Sequence, residues 1–170
     1  MKPLKDFVRD VLDFPRKGIV FKDLTPLLSD GEAFRRTVAE LARLGDGAVD
    51  KVAAVEARGF LFGAAVAAAL GIGVVPIRKK GKLPFFCHSV SYDLEYGKDV
   101  LEMHSDALLP GQRVLIVDDV LATGGTCGAA IQLIRKTGAV PVEAAFVIEL
   151  GFLKGRDKLD GVPVRALLNY

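Results

Sequence analysis

Asp118 and Asp119 stand side by side after an apolar run, Val114-Leu115-Ile116-Val117, and Ala122-Thr123-Gly124-Gly125-Thr126 follows almost at once. Adjacent carboxylates accept hydrogen bonds from neighbouring sugar hydroxyls, while a small turn with two threonines offers amide and hydroxyl donors without adding charge. If that turn opens a helix, its unpaired amides and positive dipole end suit a phosphate monoester. The segment VLIVDDVLATGGT therefore reads as a grip for a phosphorylated sugar, with Asp118 and Asp119 on ribose and Ala122 to Thr126 on phosphate. A nucleotide hydrolase also ends a strand in acids, but it needs a G-x-x-x-x-G-K-[ST] loop, which this sequence lacks. A dinucleotide site needs G-x-G-x-x-G after a strand, and that is missing too. If the acids merely capped a strand and the glycines merely made a turn, the adjacency of two carboxylates with Thr-Gly-Gly-Thr would have no explanation.

A second candidate anion site is Glu56-Ala57-Arg58-Gly59, where a guanidinium able to bind two phosphate oxygens sits between an apolar strand and an alanine-rich helix. Taken alone, Arg58 is equally compatible with pairing to an acidic neighbour on the surface. Arg78, Lys79, Lys80 and Lys82 place four cations in five positions. Such runs are usually solvated faces, but this one leaves a strand end and enters a long loop, where it is placed to meet pyrophosphate. His88 and His104 have no companions at metal-ligand spacing. Cys87 and Cys127 lie far apart without C-x-x-C spacing, so neither a disulfide nor a zinc site is expected, and a reducing cytoplasmic location follows. Cys127 is read as packing.

These residues need a scaffold, and the hydrophobic pattern supplies an α/β one. Phe34, Val38, Leu41 and Ala42 recur at helical spacing up to Gly45. Lys51 to Glu56 reads as a strand, Gly59 to Leu70 as a helix and Gly73 to Arg78 as a strand, making one βαβ unit. Arg113 to Val117, a helix from about Gly125 to Thr137, and Val142 to Ile148 make another. Lys79 to Glu102 reads as a long loop with a hairpin, which inside a compact domain is usually functional. Glu102, alternating with apolar neighbours, is expected to face solvent. The 170 residues, 51% hydrophobic, suffice for one domain over residues 1–170. A formal charge of +2 argues against a nucleic-acid or membrane partner. The opening MKPLKDFVRDVL lacks the apolar core of a secretory signal, and the longest apolar stretch, Gly59 to Ile72, falls short of the ~20 residues of a membrane span.

The Val114 to Thr126 segment resembles the phosphoribosyl pyrophosphate signature of type I phosphoribosyltransferases. DFPRKGIVFKDLTPLL, EARGFLFG, IRKKGKLP, YDLEYG and ELGFLKGRDKL, in this order and spacing, are similar to adenine phosphoribosyltransferases and with the signature span nearly the whole chain. The resemblance implies a type I phosphoribosyltransferase fold, a mostly parallel central sheet flanked by helices, with an N-terminal hood over residues 1–28 and a flexible catalytic loop and hairpin over 79–102. It implies conversion of adenine and phosphoribosyl pyrophosphate to AMP and pyrophosphate, with magnesium arriving on the substrate rather than on a protein ligand set.

By the same resemblance, Ala57 and Arg58 form the pyrophosphate loop, with a non-proline cis peptide near Ala57. Arg78, with Lys79 and Lys82, serves pyrophosphate near the interface of a homodimer, Arg78 reaching the neighbouring site. Glu95 occupies the proposed catalytic glutamate position, Tyr96 supplies lid surface and Gly97 a flexible point. Val20, Phe21 and Lys22 are assigned to the base, read mainly through the backbone of Val20 and Lys22, with Leu150 opposite. Periodicity alone leaves core packing open for Val20 and Leu150. Phe85-Phe86-Cys87-His88-Ser89 departs from the family's Gly-Pro-containing loops. Two alternatives stay open: the same fold acting on hypoxanthine, guanine or orotate, or a non-catalytic sensor of the same ligand. The hood and the Glu149-Leu150 pair favour adenine. The absence of a basic stripe or added DNA-binding module disfavours the sensor.

Overall fold

Chain segments rich in β-branched and small apolar residues form the strands of a seven-stranded sheet in a computed structural model that describes residues 2–45, 49–93 and 97–170. The N-terminal part contributes a 3-10 turn, Leu4–Phe7, then β1 (Arg9–Leu12) and β2 (Val20–Asp23), which pair antiparallel as a separate ribbon. Helices α1 (Thr25–Ser29) and α2 (Gly31–Leu44) follow. Asp30 caps α2 by accepting a 2.8 Å hydrogen bond from the Ala33 amide, and Gly45 closes it where the sequence expects.

The main sheet runs through β3 (Lys51–Val55), β4 (Gly73–Lys79), β5 (Cys87–Asp93), β6 (Lys98–His104), β7 (Arg113–Leu121), β8 (Val140–Glu149) and β9 (Val164–Asn169), in the spatial order β5-β6-β4-β3-β7-β8-β9. β4, β3, β7, β8 and β9 are parallel, and the β5–β6 hairpin joins β4 antiparallel. α3 (Gly59–Leu70) makes the β3–β4 crossover and α4 (Gly125–Lys136) the β7–β8 crossover. Along β7 the side chains alternate between two cores: Val114 and Ile116 pack with α4, whereas Leu115 and Val117 pack with α1, α2 and α3. All four are fully buried, as a central parallel strand requires.

Three elements correct the sequence expectation. β7 does not stop at Val117 but continues to Leu121, because β8 extends far enough to pair Asp118 with Phe146, Val120 with Ile148 and Leu121 with Glu149. The two aspartates therefore sit inside the strand rather than beyond it. Residues 79–102 hold much less loop than expected, since β5 and β6 pair over seven residue positions and belong to the main sheet. Glu102 is not solvent-facing: it is 9% exposed and accepts hydrogen bonds from the Gly81 amide at 2.8 Å and the Ser89 hydroxyl at 3.2 Å. Its carboxylate anchors the turn after β4, which its apolar neighbours in sequence do not disclose. The β1–β2 ribbon and β9 were not anticipated.

Candidate functional site

Strand alternation sends Asp118 and Asp119 to opposite sides of β7, and each is held by a different neighbour. Asp118 Oδ1 accepts a 2.8 Å hydrogen bond from the Asp119 amide. Gly59, the first residue of α3, lies so close that a Cβ there would stand 2.6 Å from the same oxygen. Asp118 keeps part of its surface in the cleft, yet its carboxyl is sunk among protein atoms. That burial, with the Asp119 charge beside it, pushes its pKa well above the usual carboxylate range. Asp119 is 6% exposed, and its Oδ2 lies 2.5 Å from Arg58 Nε without the alignment of a hydrogen bond.

Beyond Leu121 the chain turns through Ala122 and Thr123 into α4. Gly124 adopts a left-handed φ of 80°, which glycine alone takes without strain, and offers no side chain to cap the helix. The first amides of α4 thus face the cleft at the positive end of the helix dipole. Gly125 lies against β5, where a Cβ would stand 3.1 Å from the Asp93 carbonyl and 3.3 Å from the Tyr92 ring. Burial raises the Cys127 thiol pKa, and Cys127 packs in the α4 core as expected.

The Glu56–Ala57 peptide is cis, as the resemblance implied, and turns the chain from β3 into α3. Ala57 and Arg58 are exposed at this turn. The Arg58 guanidinium reaches Asp119 on one side and stacks over the Phe21 ring at 5.2 Å on the other, linking the turn, the carboxylate pair and β2. Glu56 accepts from the Lys79 amide at 3.0 Å and from Arg78 at 3.3 Å, which lowers its pKa.

One cleft of ≈ 420 Å³, a size suited to a small organic ligand, gathers most of the expected residues. Ala57, Arg58, Asp118, Asp119 and Ala122 to Thr126 form its polar side, while Val20, Phe21, Lys22 and Leu150 form its other end. The Lys22 ammonium is held by a 2.7 Å ion pair with Asp10 and by the Tyr170 ring, 4.1 Å away. Arg78, Lys79 and Lys82 do not line this cleft: Arg78 pairs with Glu56 and donates to the Lys82 carbonyl, and Lys79 pairs with Asp99 at 3.3 Å. Glu95 and Tyr96 lie outside the described residues.

Sequence reasoning missed Ile19, Val120, Leu121 and Phe146 on the cleft wall. Alternation carried past Asp119 would have placed Val120 and Leu121 on the strand, but nothing local marks Phe146, which arrives from a neighbouring strand. Glu149 was noted only beside Leu150; it is 7% exposed and bound bidentately by Arg156, which lowers its pKa.

The phosphoribosyl transferase domain model matches residues 28–162. An adenine phosphoribosyltransferase of Roseiflexus sp. is 52% identical over 168 residues, 98% of each chain. Among solved structures, the adenine phosphoribosyltransferase of Thermoanaerobacter pseudethanolicus superposes with a TM-score of 0.95 at 51% identity, covering 98% of both chains. That of Saccharomyces cerevisiae, complexed with an imino-altritol bisphosphate and adenine, gives 0.92 at 41% identity, covering 97% of this chain and 96% of that one. With a family model covering most of the chain, and relatives above half identity along nearly all of it, the chain belongs to the adenine phosphoribosyltransferases.

Proposed function

We infer that the cleft carries out the reaction for which its family is named, converting adenine and phosphoribosyl pyrophosphate to AMP and pyrophosphate, a step of purine salvage. The observation that carries this reading is the meeting, in one cleft, of Asp118 and Asp119 with the uncapped start of α4 at one end and Val20 to Lys22 facing Leu150 at the other. The first set suits a ribose phosphate and the second a flat heterocycle.

A ring nitrogen of adenine attacks the anomeric carbon, the bond from that carbon to pyrophosphate breaks, and the configuration inverts. Positive charge develops on the sugar as pyrophosphate leaves. Asp118 and Asp119 hold the ribose hydroxyls and stabilise that charge, while Thr123, Gly124, Gly125 and Thr126 hold the 5′-phosphate. Ala57 and Arg58 receive pyrophosphate. In the free chain Arg58 rests on Asp119, so the arriving polyanion competes for a guanidinium already in place. Phe21 and Leu150 enclose the base, and the backbone of Val20 and Lys22 reads its edge.

Glu95 is proposed to take the proton released by the attacking ring, and Tyr96 to help exclude water that would hydrolyse the donor. Magnesium fits this donor set as a substrate-borne ion: pyrophosphate oxygens are hard ligands, and the neighbouring carboxylates of Asp118 and Asp119 can hold its waters. When bound, it neutralises charge on the departing pyrophosphate. Arg78, Lys79 and Lys82 are proposed to serve pyrophosphate near a homodimer interface, with Arg78 reaching the neighbouring site, a reading supported by their place beyond the cleft of their own chain. Exposed Leu61 and Val74 are apolar surface for such contact. A single domain over residues 1–170 is the matching reading of its organisation. A cytoplasmic location accords with two free cysteines, and among the described residues no helix is long and apolar enough to cross a membrane.

Product formation from phosphoribosyl pyrophosphate and magnesium with adenine, hypoxanthine, guanine and orotate in parallel tests the inference. AMP formed strongly in preference to the other nucleotides is expected. Turnover of another base would overturn the assignment of the base end, and folded protein inactive on all four would overturn the reaction.

A further inference from the structure

The phosphate turn rests on a second turn that no catalytic role has claimed. Residues 154–158 fold back against it, with Lys154 in a left-handed conformation leading into the 3-10 turn Gly155–Lys158. The contact is backbone on backbone. A Cβ at Gly124 would collide with the Gly155 carbonyl, and one at Gly155 would collide with the Ala122 carbonyl while standing 3.1 Å from the Gly124 amide nitrogen. One at Gly128, in the first turn of α4, would stand 2.9 Å from the Lys158 carbonyl. Glycine at these three positions lets the two turns touch with no side chain between them. The directions of the phosphate-loop amides are thus set partly by where the 154–158 turn lies.

That turn is bolted down by one side chain. Arg156 donates through Nε and Nη2 to the two carboxylate oxygens of Glu149, both at 2.6 Å, and through Nη1 to the Val164 carbonyl at 3.0 Å. The fork geometry fixes orientation as well as distance, which a lysine ammonium does not do. Glu149 is a rigid anchor at the end of β8: its strand partner is Leu121, the last residue before the phosphate turn. The main chain beside it is held independently, since the Leu150 amide donates to Leu121 and the Tyr170 amide to Glu149, each at 2.9 Å. The base end at Leu150 therefore does not depend on the ion pair.

We propose that Arg156 is a positioning residue for the phosphate subsite: by pinning the 154–158 turn to Glu149 it holds Gly155 against Ala122 and Gly124 and so aims the loop amides at the 5′-phosphate. This rests on the assignment of Ala122 to Thr126 to that phosphate. Arg156 touches no ligand in this account. Its influence appears in binding of the sugar phosphate and leaves the base end alone.

The test is calorimetric titration of the full chain with ribose 5-phosphate, accompanied by KM values for phosphoribosyl pyrophosphate and adenine and by melting temperatures. Arg156→Gln is expected to weaken ribose 5-phosphate about tenfold and raise KM for phosphoribosyl pyrophosphate similarly, with KM for adenine at saturating donor unchanged. Arg156→Lys is expected to recover part of that loss. Gly155→Ala, which keeps the ion pair and displaces the turn directly, is expected to weaken ribose 5-phosphate at least as much. Parental affinity in folded Arg156→Gln overturns the proposal, as does an equal loss for both substrates that merely follows the melting temperature. Should Arg156→Gln fail to fold, Gly155→Ala decides, and parental affinity there overturns it. An unmodified chain that does not bind ribose 5-phosphate would instead remove the phosphate-loop assignment beneath it.

Discussion

Replacing Gly59 by alanine separates the geometry of the carboxylate pair from the stability of the fold. The new Cβ would stand 2.6 Å from Asp118 Oδ1 and 3.2 Å from its Cγ, so the carboxylate must retreat by about 0.8 Å to reach ordinary contact. That retreat also strains the 2.8 Å hydrogen bond by which the Asp119 amide fixes the same oxygen. Overpacking costs about 1–3 kcal/mol, while alanine in place of glycine within a helix returns up to about 1 kcal/mol, so the net loss of stability is small. The catalytic cost is larger. Misplacement of a positioning group by ~1 Å reduces rate by about a hundredfold, or ~2.7 kcal/mol of transition-state stabilisation. Steady-state kinetics with adenine and phosphoribosyl pyrophosphate should show kcat falling by that order while the melting temperature moves only a few degrees. Gly31→Ala is the control: it too begins a helix, but its Cβ would meet nothing within 4 Å, so activity should be parental. A folded Gly59→Ala enzyme with parental kcat would refute the claim that the position of Asp118 limits the reaction.

The raised pKa of Asp118 makes a stability prediction whose sign is fixed. Because folding favours its protonated form, its contribution is fully present below the unfolded value of 3.8 and is lost as pH rises through the higher folded value. Asp118→Asn should therefore melt higher than the parent at pH 7, with the difference vanishing in acid, while turnover falls; a lower melting temperature at pH 7 would contradict the assigned burial cost. Glu149 behaves oppositely, since Arg156 lowers its pKa: its contribution is present above 4.5 and disappears as pH falls through the lower folded value. Glu102→Ala should cost about 0.5–1.5 kcal/mol, the net worth of an ordinary hydrogen bond, because the Gly81 amide and Ser89 hydroxyl it releases belong to exposed residues that water can reach; the loss is read as a lower denaturation midpoint. An unchanged midpoint would show those donors to be otherwise satisfied.

The parts of this molecule legible in sequence are those whose causes are local. Gly59–Leu70 begins and ends where its glycines and apolar run say it should, and Val114 to Val117 announce a strand buried on both faces. Asp118, Asp119 and the Thr-Gly-Gly-Thr turn are adjacent residues, so their gathering in one cleft was readable. Partners distant in sequence were not. Arg58 meets Asp119 and Phe21, Arg156 meets Glu149, and Gly155 meets Ala122 only because strand order and crossovers bring those segments together. The end of β7 was misjudged for the same reason: pairing with β8, rather than any property of residues 118–121, keeps the chain extended to Leu121. Glu102 shows the converse, a charged residue in an alternating strand whose inward role depends on Gly81 and Ser89 arriving from two other segments. That Val20 to Lys22 share the cleft with Leu150 was expected through family resemblance alone, since nothing in their residue types marks it.

A crystal structure of the chain with AMP bound tests the central claim most directly. The account predicts the phosphate on the amides and hydroxyls of Thr123 to Thr126, the ribose hydroxyls at Asp118 and Asp119, and the purine between Phe21 and Leu150 with its edge against the backbone of Val20 and Lys22. AMP bound elsewhere, or bound here with its phosphate away from the start of α4, would contradict it.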